Sequence, residues 1–152
     1  MENKTFVYVT YIRSTPKAVW EAITNPEFTR QYWGGGENRS TWEAGADWRH
    51  IANDEHRTVR IVGEVLESNP PRSLVLSWAD PAEPNDKSII RYEIEAVDEL
   101  VSLKIVHSEF GPHSTMAGKV AWGWPRVLSS LKSFLETGKG INVWAGTQHR
   151  CG

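Results

Sequence analysis

The chain has 152 residues, the length of one domain that can bury a substantial core. Its net charge of −2, with acids and bases mixed along the chain, argues against nucleic acid as a main partner. No apolar run approaches transmembrane length, so no membrane span is expected. The one cysteine, Cys151, and the absence of a signal-peptide pattern at the N-terminus predict a cytoplasmic protein.

The first third of the chain predicts one strand followed by two short helices. Residues 6–12 form a β-branched and aromatic run that is typical of a strand. Thr15 can then cap a helix whose first position is Pro16. Asn25 and Pro26 break that helix and begin a second one, which the glycine triplet 34–36 ends.

Between residues 39 and 108 the hydrophobic pattern predicts only strands. Residues 40–42 and 46–51 flank a turn at 44–45, and further alternating runs follow at about 59–66, 74–78, 90–96 and 101–107. A period of two indicates one buried and one solvated face, as in an antiparallel sheet.

A long amphipathic helix is predicted near the C-terminus, ending at the cap residue Gly138. Pro125 either opens this helix or kinks a longer one that begins near Thr115. The predicted domain spans residues 1–138, and residues 139–152, with Trp144, are predicted to be a tail. The apolar stripe of the helix consists of Trp124, Val127, Leu128, Leu131, Phe134 and Leu135.

These elements predict an α+β fold in which a curved antiparallel sheet of about six or seven strands wraps around the long C-terminal helix. Eight segments are distinctive in their order along the chain: Ser14-Thr15-Pro16, residues 19–24 with Pro26, Gln31-Tyr32-Trp33, Trp42-Glu43-Ala44-Gly45, residues 63–67, residues 69–74 with Trp78, residues 107–111, and residues 123–138. This ordered set resembles the START-like superfamily (SRPBCC, or Bet v 1-like helix-grip fold), and most closely the group named after the C-terminal domain of the activator of Hsp90 ATPase.

The resemblance implies a hydrophobic ligand cavity between the sheet and the long helix, without implying a particular ligand. Aromatic side chains are the usual lining of such pockets. It does not imply Hsp90 binding, because the namesake co-chaperone has a separate N-terminal domain for which this chain has no room. The candidate ligand-binding residues are Trp42, Trp48, Trp78, Tyr92, His107, Phe110, Trp122, Trp124 and Leu128.

His107 is the best polar candidate, because it continues the inward alternation of residues 101, 103 and 105. It either contacts a ligand or, as the slightly favoured interpretation, is satisfied by a neighbouring side chain. His50 and His56 are interpreted as two half-exposed histidines. No catalytic residue, nucleophile–base pair, metal site or cofactor is predicted.

The predicted function is the binding of a small hydrophobic or aromatic ligand, such as a lipid, a polyketide or a flavonoid, by a monomer or homodimer. One alternative is a cyclase, hydrolase or dehydratase on the same scaffold. The other is a protein-interaction module that resembles a chaperone cofactor. A polar pair in the cavity would favour the enzyme, and an exposed apolar patch on the sheet would favour the interaction module.

Overall fold

A computed structural model describes residues 4–143 of the chain. One antiparallel sheet of seven strands, in the order β1-β7-β6-β5-β4-β3-β2, is combined with three helices. This is the predicted α+β helix-grip arrangement. The elements along the chain are β1 (Phe6–Ile12), α1 (Pro16–Thr24), α2 (Pro26–Tyr32), β2 (Glu37–Arg39), β3 (Asp47–Ile51), β4 (Val59–Asn69), β5 (Ser73–Trp78), β6 (Ser88–Val97), β7 (Leu100–Ser108) and α3 (Met116–Thr137).

The two short helices start where the sequence predicts. The Thr15 hydroxyl accepts a hydrogen bond from the backbone N–H of Ala18 at 3.2 Å, and the Asn25 side chain accepts one from Glu27 at 2.9 Å. A proline follows each cap in the first turn, where its missing N–H leaves no partner unsatisfied. Local capping chemistry therefore fixes both starts.

The sheet alternates as its period of two predicts. In β7 the side chains of Val101, Leu103, Ile105 and His107 are buried, and the residues between them are partly exposed. Strand β6 repeats the pattern next to it through residue 94. Helix α3 packs on the inner face of these strands, and the hydrophobic core lies between them.

The prediction of a strand at residues 40–42 is wrong. The structure places β2 earlier, at Glu37–Arg39, where it pairs with β3. The buried side chains of β2 are polar: Glu37 and Asn38 are each 2% exposed. No alternation of apolar residues therefore marks this strand in the sequence. The Ser40 hydroxyl accepts from the Trp42 N–H at 2.9 Å and donates to the Asp47 carbonyl at 2.7 Å, so residues 40–42 form part of the irregular connection between β2 and β3.

Helix α3 is the longer of the two predicted alternatives, with Pro125 inside it. Proline cannot donate to the carbonyl four residues earlier, which belongs to Ala121. The hydroxyl of Tyr8 in β1 donates to that carbonyl at 3.4 Å. The interior proline thus creates a contact between α3 and the sheet. Gly138, in the left-handed conformation, ends the helix as predicted.

The first residues of the predicted tail lie against the domain. The Ser130 hydroxyl of α3 accepts from the Ile141 N–H at 2.8 Å and donates to the Ile141 carbonyl at 3.1 Å. Val143 is 3% exposed. Trp144 and Cys151 lie outside the described residues. None of the helices within residues 4–143 is both long and apolar enough to cross a membrane.

Replacing Leu131 with Ala tests the packing of α3 on the sheet. Leu131 is 2% exposed, and a fully buried Leu→Ala change costs about 2–5 kcal/mol of unfolding free energy. Chemical denaturation measures this loss. The matched control is Leu66→Ala, since Leu66 is 41% exposed and its truncation should change stability by about 0.5 kcal/mol or less. Equal midpoints for the two variants would show that the stripe of α3 is not core.

Candidate functional site

A cavity of about 90 Å³ lies between α3 and strands β4 and β5. Its walls are mostly apolar. The charged residues Arg60, Asp80 and Lys119 also line it, and their side chains are 31–45% exposed, so they mark where it opens to solvent. The remaining lining residues are Trp33, Ile61, Trp78, Met116, Val120, Gly123, Trp124 and Val127.

Three tryptophans of this wall contact one another. The ring centroids of Trp33 and Trp124 are 5.4 Å apart, those of Trp78 and Trp124 are 5.6 Å apart, and those of Trp33 and Trp78 are 6.5 Å apart. They come from the end of α2, the end of β5 and the middle of α3. We call them the tryptophan triad. Because all three are less than 5% exposed, the triad joins the helical layer to the sheet within the core.

The position of Trp33 depends on the glycines that follow it. Trp33 is the C-cap of α2, and its N–H donates to the Thr29 carbonyl at 2.8 Å. A Cβ at Gly36 would lie 2.6 Å from two ring atoms of His50. Only glycine allows the chain to pass so close to this ring, which itself contacts the Trp33 indole with centroids 4.9 Å apart.

The indole nitrogens at the site differ in their hydrogen bonding. Trp48 donates to the Ser77 carbonyl at 2.7 Å, and Trp124 donates to His107 at 3.0 Å. The buried Nε1–H groups of Trp33 and Trp78 have no hydrogen-bond partner among residues 4–143. A buried unpaired donor costs about 1–3 kcal/mol, and both nitrogens are enclosed by the surrounding side chains, so they do not border the open space of the cavity.

His107 is fully buried behind the triad, and both of its ring nitrogens are engaged. An indole N–H can only donate, so Nδ1 of His107 accepts from Trp124. The proton of the neutral ring is therefore on Nε2, which donates to the Ser88 hydroxyl at 2.8 Å. Burial lowers the pKa of His107 to about 3. The favoured sequence interpretation, a histidine satisfied by neighbouring side chains, agrees with this geometry.

The contact between Ser88 and His107 has the spacing of a nucleophile–base pair, which the sequence did not reveal. Its chemistry is different. The nitrogen that faces Ser88 carries the proton, so it cannot remove one from the hydroxyl. Both residues are at most 1% exposed. The pair therefore acts as a structural hydrogen bond between β6 and β7.

Arg60 reaches the cavity through an irregularity in β4. In the register with β3, His50 pairs with Ile61 and Ile51 pairs with Val59, so Arg60 is an extra residue without a partner. Such a bulge redirects a side chain out of the normal alternation. Across the opening, Lys119 of α3 lies 3.7 Å from the Asp80 carboxylate.

The structure separates the predicted site residues into three groups. Trp78 and Trp124 line the cavity. Trp48, Tyr92, His107, Phe110 and Leu128 are buried core residues that do not line it, although Trp48, Tyr92 and His107 contact the triad. Trp42 and Trp122 are only partly buried; Trp42 donates to the Thr24 carbonyl at 2.9 Å, and the Arg126 guanidinium stacks on Trp122.

Sequence reasoning missed Trp33 as a site residue, as well as the three charged residues at the opening. The sequence analysis used Trp33 only as part of the segment Gln31-Tyr32-Trp33 that carries the resemblance. Its place directly before three glycines was the signal that its ring enters a different environment. Arg60 had no such signal, since it falls on the outer face in the alternation of β4.

A second polar cluster lies on β2 and β3, next to the triad, and the interpretation of His50 as half-exposed is wrong. His50 is 1% exposed, and its Nδ1 is 2.7 Å from the Asn38 side-chain oxygen. His56 is exposed. Burial opposes ionisation of nearby Glu37, but hydrogen bonds from Arg39 and Arg57 overcome this and lower its pKa. Within residues 4–143, no group of three His, Cys, Asp or Glu side chains is placed to hold a metal ion.

Comparison with known families identifies the chain's relatives. The family model described as Activator of Hsp90 ATPase homolog 1-like protein matches residues 13–136, which include the triad and the whole sheet except β1. A search of curated proteins found no match.

Solved structures share the fold at low sequence identity. The Aha1 dimer from Colwellia psychrerythraea is 18% identical with a TM-score of 0.75, covering 90% of this chain and 99% of that one. CalU16 from Micromonospora echinospora is 20% identical with a TM-score of 0.72, covering 91% and 78%. PFC0360w, an Hsp90 activator from Plasmodium falciparum, is 17% identical with a TM-score of 0.67, covering 79% and 86%. Such identities show the fold alone.

The depressed pKa of His107 predicts a loss of stability in acid. The folded-state pKa of about 3 lies below the ordinary value of 6.5, so only the unfolded state takes up the proton between these values. Stability is therefore retained above about pH 6.5 and falls as the pH drops toward 3, by about 2 kcal/mol between about pH 7.5 and pH 5.

Urea denaturation at the two pH values measures this effect, with His107→Gln as the comparison. The Gln variant cannot titrate, so it should lose about 2 kcal/mol less than the wild type over the same range. NMR titration of the histidine ring protons is a direct check that requires no variant. A His107 resonance that titrates near neutral pH would contradict the buried, neutral ring.

Proposed function

The chain belongs to the family of Activator of Hsp90 ATPase homolog 1-like proteins, and on this premise we propose that its cavity binds a compact, mostly apolar ligand. The single observation that carries the proposal is the tryptophan triad, which forms an aromatic wall of the cavity, with the charged residues Arg60, Asp80 and Lys119 at the opening. Apolar walls with a few converging polar groups are typical of small-molecule sites.

The cavity volume limits the size of the ligand. Pockets for drug-sized ligands usually measure about 300–1,000 Å³, whereas this cavity measures about 90 Å³. The proposal is therefore narrower than the lipids, polyketides and flavonoids that the sequence suggested. A single aromatic ring or a short branched chain with one polar group is the size of ligand that we propose.

Binding is proposed in preference to catalysis because of the state of His107. A general base needs a free acceptor nitrogen within reach of the proton that it removes. In His107 the acceptor nitrogen is taken by Trp124, and the ring lies behind the triad rather than on the cavity wall. The charged residues at the opening, Arg60, Asp80 and Lys119, can contact polar groups of a ligand, and they do not form a nucleophile–base pair.

Filling the cavity should abolish binding without unfolding the protein. Val120 is 5% exposed and lines the cavity, so Val120→Phe places a ring in the volume that the ligand would occupy. Isothermal titration calorimetry measures toluene binding, and we expect a dissociation constant of about 0.2 mM, or about −5 kcal/mol, for the wild type. We expect no binding by the variant, at an unchanged or higher melting temperature.

The matched control is Val106→Phe, because Val106 is half-buried on the outer face of β7, away from the cavity. This variant should bind toluene as the wild type does. Equal binding by the Val120 and Val106 variants would place the ligand elsewhere. Absence of binding in the wild type would refute the proposal.

A second candidate function is protein interaction, and one observation favours it. Val7, Val9 and Tyr11 of the edge strand β1 are 53%, 50% and 51% exposed on the outer face of the sheet. Such apolar patches are typical of interaction sites. The Plasmodium falciparum neighbour is an Hsp90 activator, so Hsp90 is the partner to test.

Adding the purified chain to an Hsp90 ATPase assay separates the two candidates. We expect no stimulation, in keeping with a ligand-binding role. Stimulation that Val9→Lys removes and Val120→Phe retains would assign the function to the outer face of β1, because a lysine on an edge strand opposes association there.

A further inference from the structure

We propose that the β5–β6 loop, residues 79–87, controls access to the cavity through Asp86, whose carboxylate caps the start of α3. A ligand enters and leaves the cavity when this cap is released. The inference rests on the proposed binding function and adds how that site is regulated. It follows from the hydrogen bonds at the start of α3, from the place of that start on the cavity wall, and from the exposure of the loop.

Helix α3 is capped only in part by the residues next to it. Its N-cap residue, Thr115, has helical backbone angles (φ −83°, ψ −24°), and its side chain makes no capping hydrogen bond within residues 4–143. The Ser114 hydroxyl accepts from the Ala117 N–H at 3.2 Å. The first N–H groups of a helix have no partner within the helix itself. Those of Thr115 and Met116 therefore need an acceptor from elsewhere in the chain.

Asp86 supplies this acceptor from the β5–β6 loop. One oxygen of its carboxylate accepts from the Thr115 N–H at 3.1 Å and from the Met116 N–H at 3.2 Å. Burial opposes ionisation of Asp86, but hydrogen bonds from Ser114, Met116 and Thr115 overcome this and lower its pKa. The carboxylate is therefore charged at neutral pH. A negative charge at the start of a helix is favourable, because the helix dipole is positive there.

The part of α3 that Asp86 holds belongs to the cavity wall. Met116 lines the cavity from the helix side, and so do Lys119 and Val120 one turn later. Asp80, at the start of the same loop, lines the cavity from the end of β5. The loop thus joins two walls of the cavity to each other. Loss of the Asp86 cap would allow the first turn of α3 and the loop to move apart, which opens a path to solvent.

Asp86 makes the strongest of the contacts between the loop and α3. The Asp80 carboxylate lies 3.7 Å from the Lys119 ammonium, but these side chains are 31% and 45% exposed, and exposed ion pairs contribute little. Hydrogen bonds to a charged acceptor are stronger. Residues 81–85 are all exposed, so the middle of the loop adds little packing. The position of the loop therefore depends mainly on the Asp86 cap.

The rates at which toluene binds and leaves test the inference. Line-shape analysis of the indole N–H signals of the triad, recorded by NMR during a toluene titration, gives both rate constants. In Asp86→Ala we expect the association and dissociation rate constants each to rise at least about tenfold, because hydrogen bonds to a charged group are commonly worth that factor. The dissociation constant should change less than about threefold, because the cap is lost equally from the free and the bound protein.

Two further variants accompany this test. The matched control is Asn85→Ala, since Asn85 is the neighbouring loop residue, is exposed and does not line the cavity. It should leave both rate constants and the dissociation constant unchanged. Asp86→Asn retains an acceptor oxygen and removes the charge, so its rate constants should lie between those of the wild type and of Asp86→Ala. This conservative variant also supplies the comparison if Asp86→Ala does not fold.

Hydrogen exchange separates control of access from simple stabilisation of α3. Loss of the cap should speed exchange of the Met116 amide in either case. If that exchange is faster while toluene enters and leaves at wild-type rates, the cap only stabilises the helix. The inference is then wrong, and the proposed function stands. A weaker dissociation constant with an unchanged association rate constant would also overturn the inference. If toluene does not bind the wild type, the proposed function fails and this inference fails with it.

Discussion

The hydrogen bond from the Trp124 indole to His107 is the interaction on which the rest of the site depends. It joins the middle of α3 to the end of β7 inside the core, at 3.0 Å. It also fixes the tautomer, so that His107 donates to Ser88, which in turn lies 3.5 Å from the Trp78 carbonyl. One series of hydrogen bonds therefore joins the helix to three strands, β7, β6 and β5, and its two ends are the cavity-lining residues Trp124 and Trp78.

The same hydrogen bonds support the proposal that the site binds a ligand and carries out no proton transfer. In an apolar interior a polar group is stable only when its partners are complete, and the groups around His107 are complete. The indoles of Trp33 and Trp78 lack such partners among residues 4–143, and an unpaired buried donor costs about 1–3 kcal/mol. The rings of the triad form the apolar wall that the proposed ligand would contact.

The sequence predicted those parts of the fold that follow from local rules. Caps at Thr15 and Asn25, the alternation of β7 and the stripe of α3 each reflect neighbouring residues alone, and the structure has all of them. The resemblance of the ordered segments to known proteins predicted the family, and the family model confirms it. Features that depend on distant partners were missed. The buried side chains of β2 are polar because Asn38 contacts His50 and Glu37 contacts two arginines, and the periodicity of the sequence does not show such contacts. Arg60 enters the site because of a bulge, and Trp33 because Gly36 passes a histidine ring.

The indole N–H resonances of the protein offer the most direct test that the cavity binds a compact, mostly apolar ligand. The chain has eight tryptophans, and each gives one such signal in a ¹H–¹⁵N correlation spectrum. On titration with toluene, we predict saturable shifts of the Trp33, Trp78 and Trp124 signals, because an aromatic ring bound against these side chains changes the shielding of their protons, while the Trp20 and Trp122 signals remain unchanged. Unmoved signals from the triad at saturating toluene, or shifts confined to Trp20 and Trp122, would contradict this account.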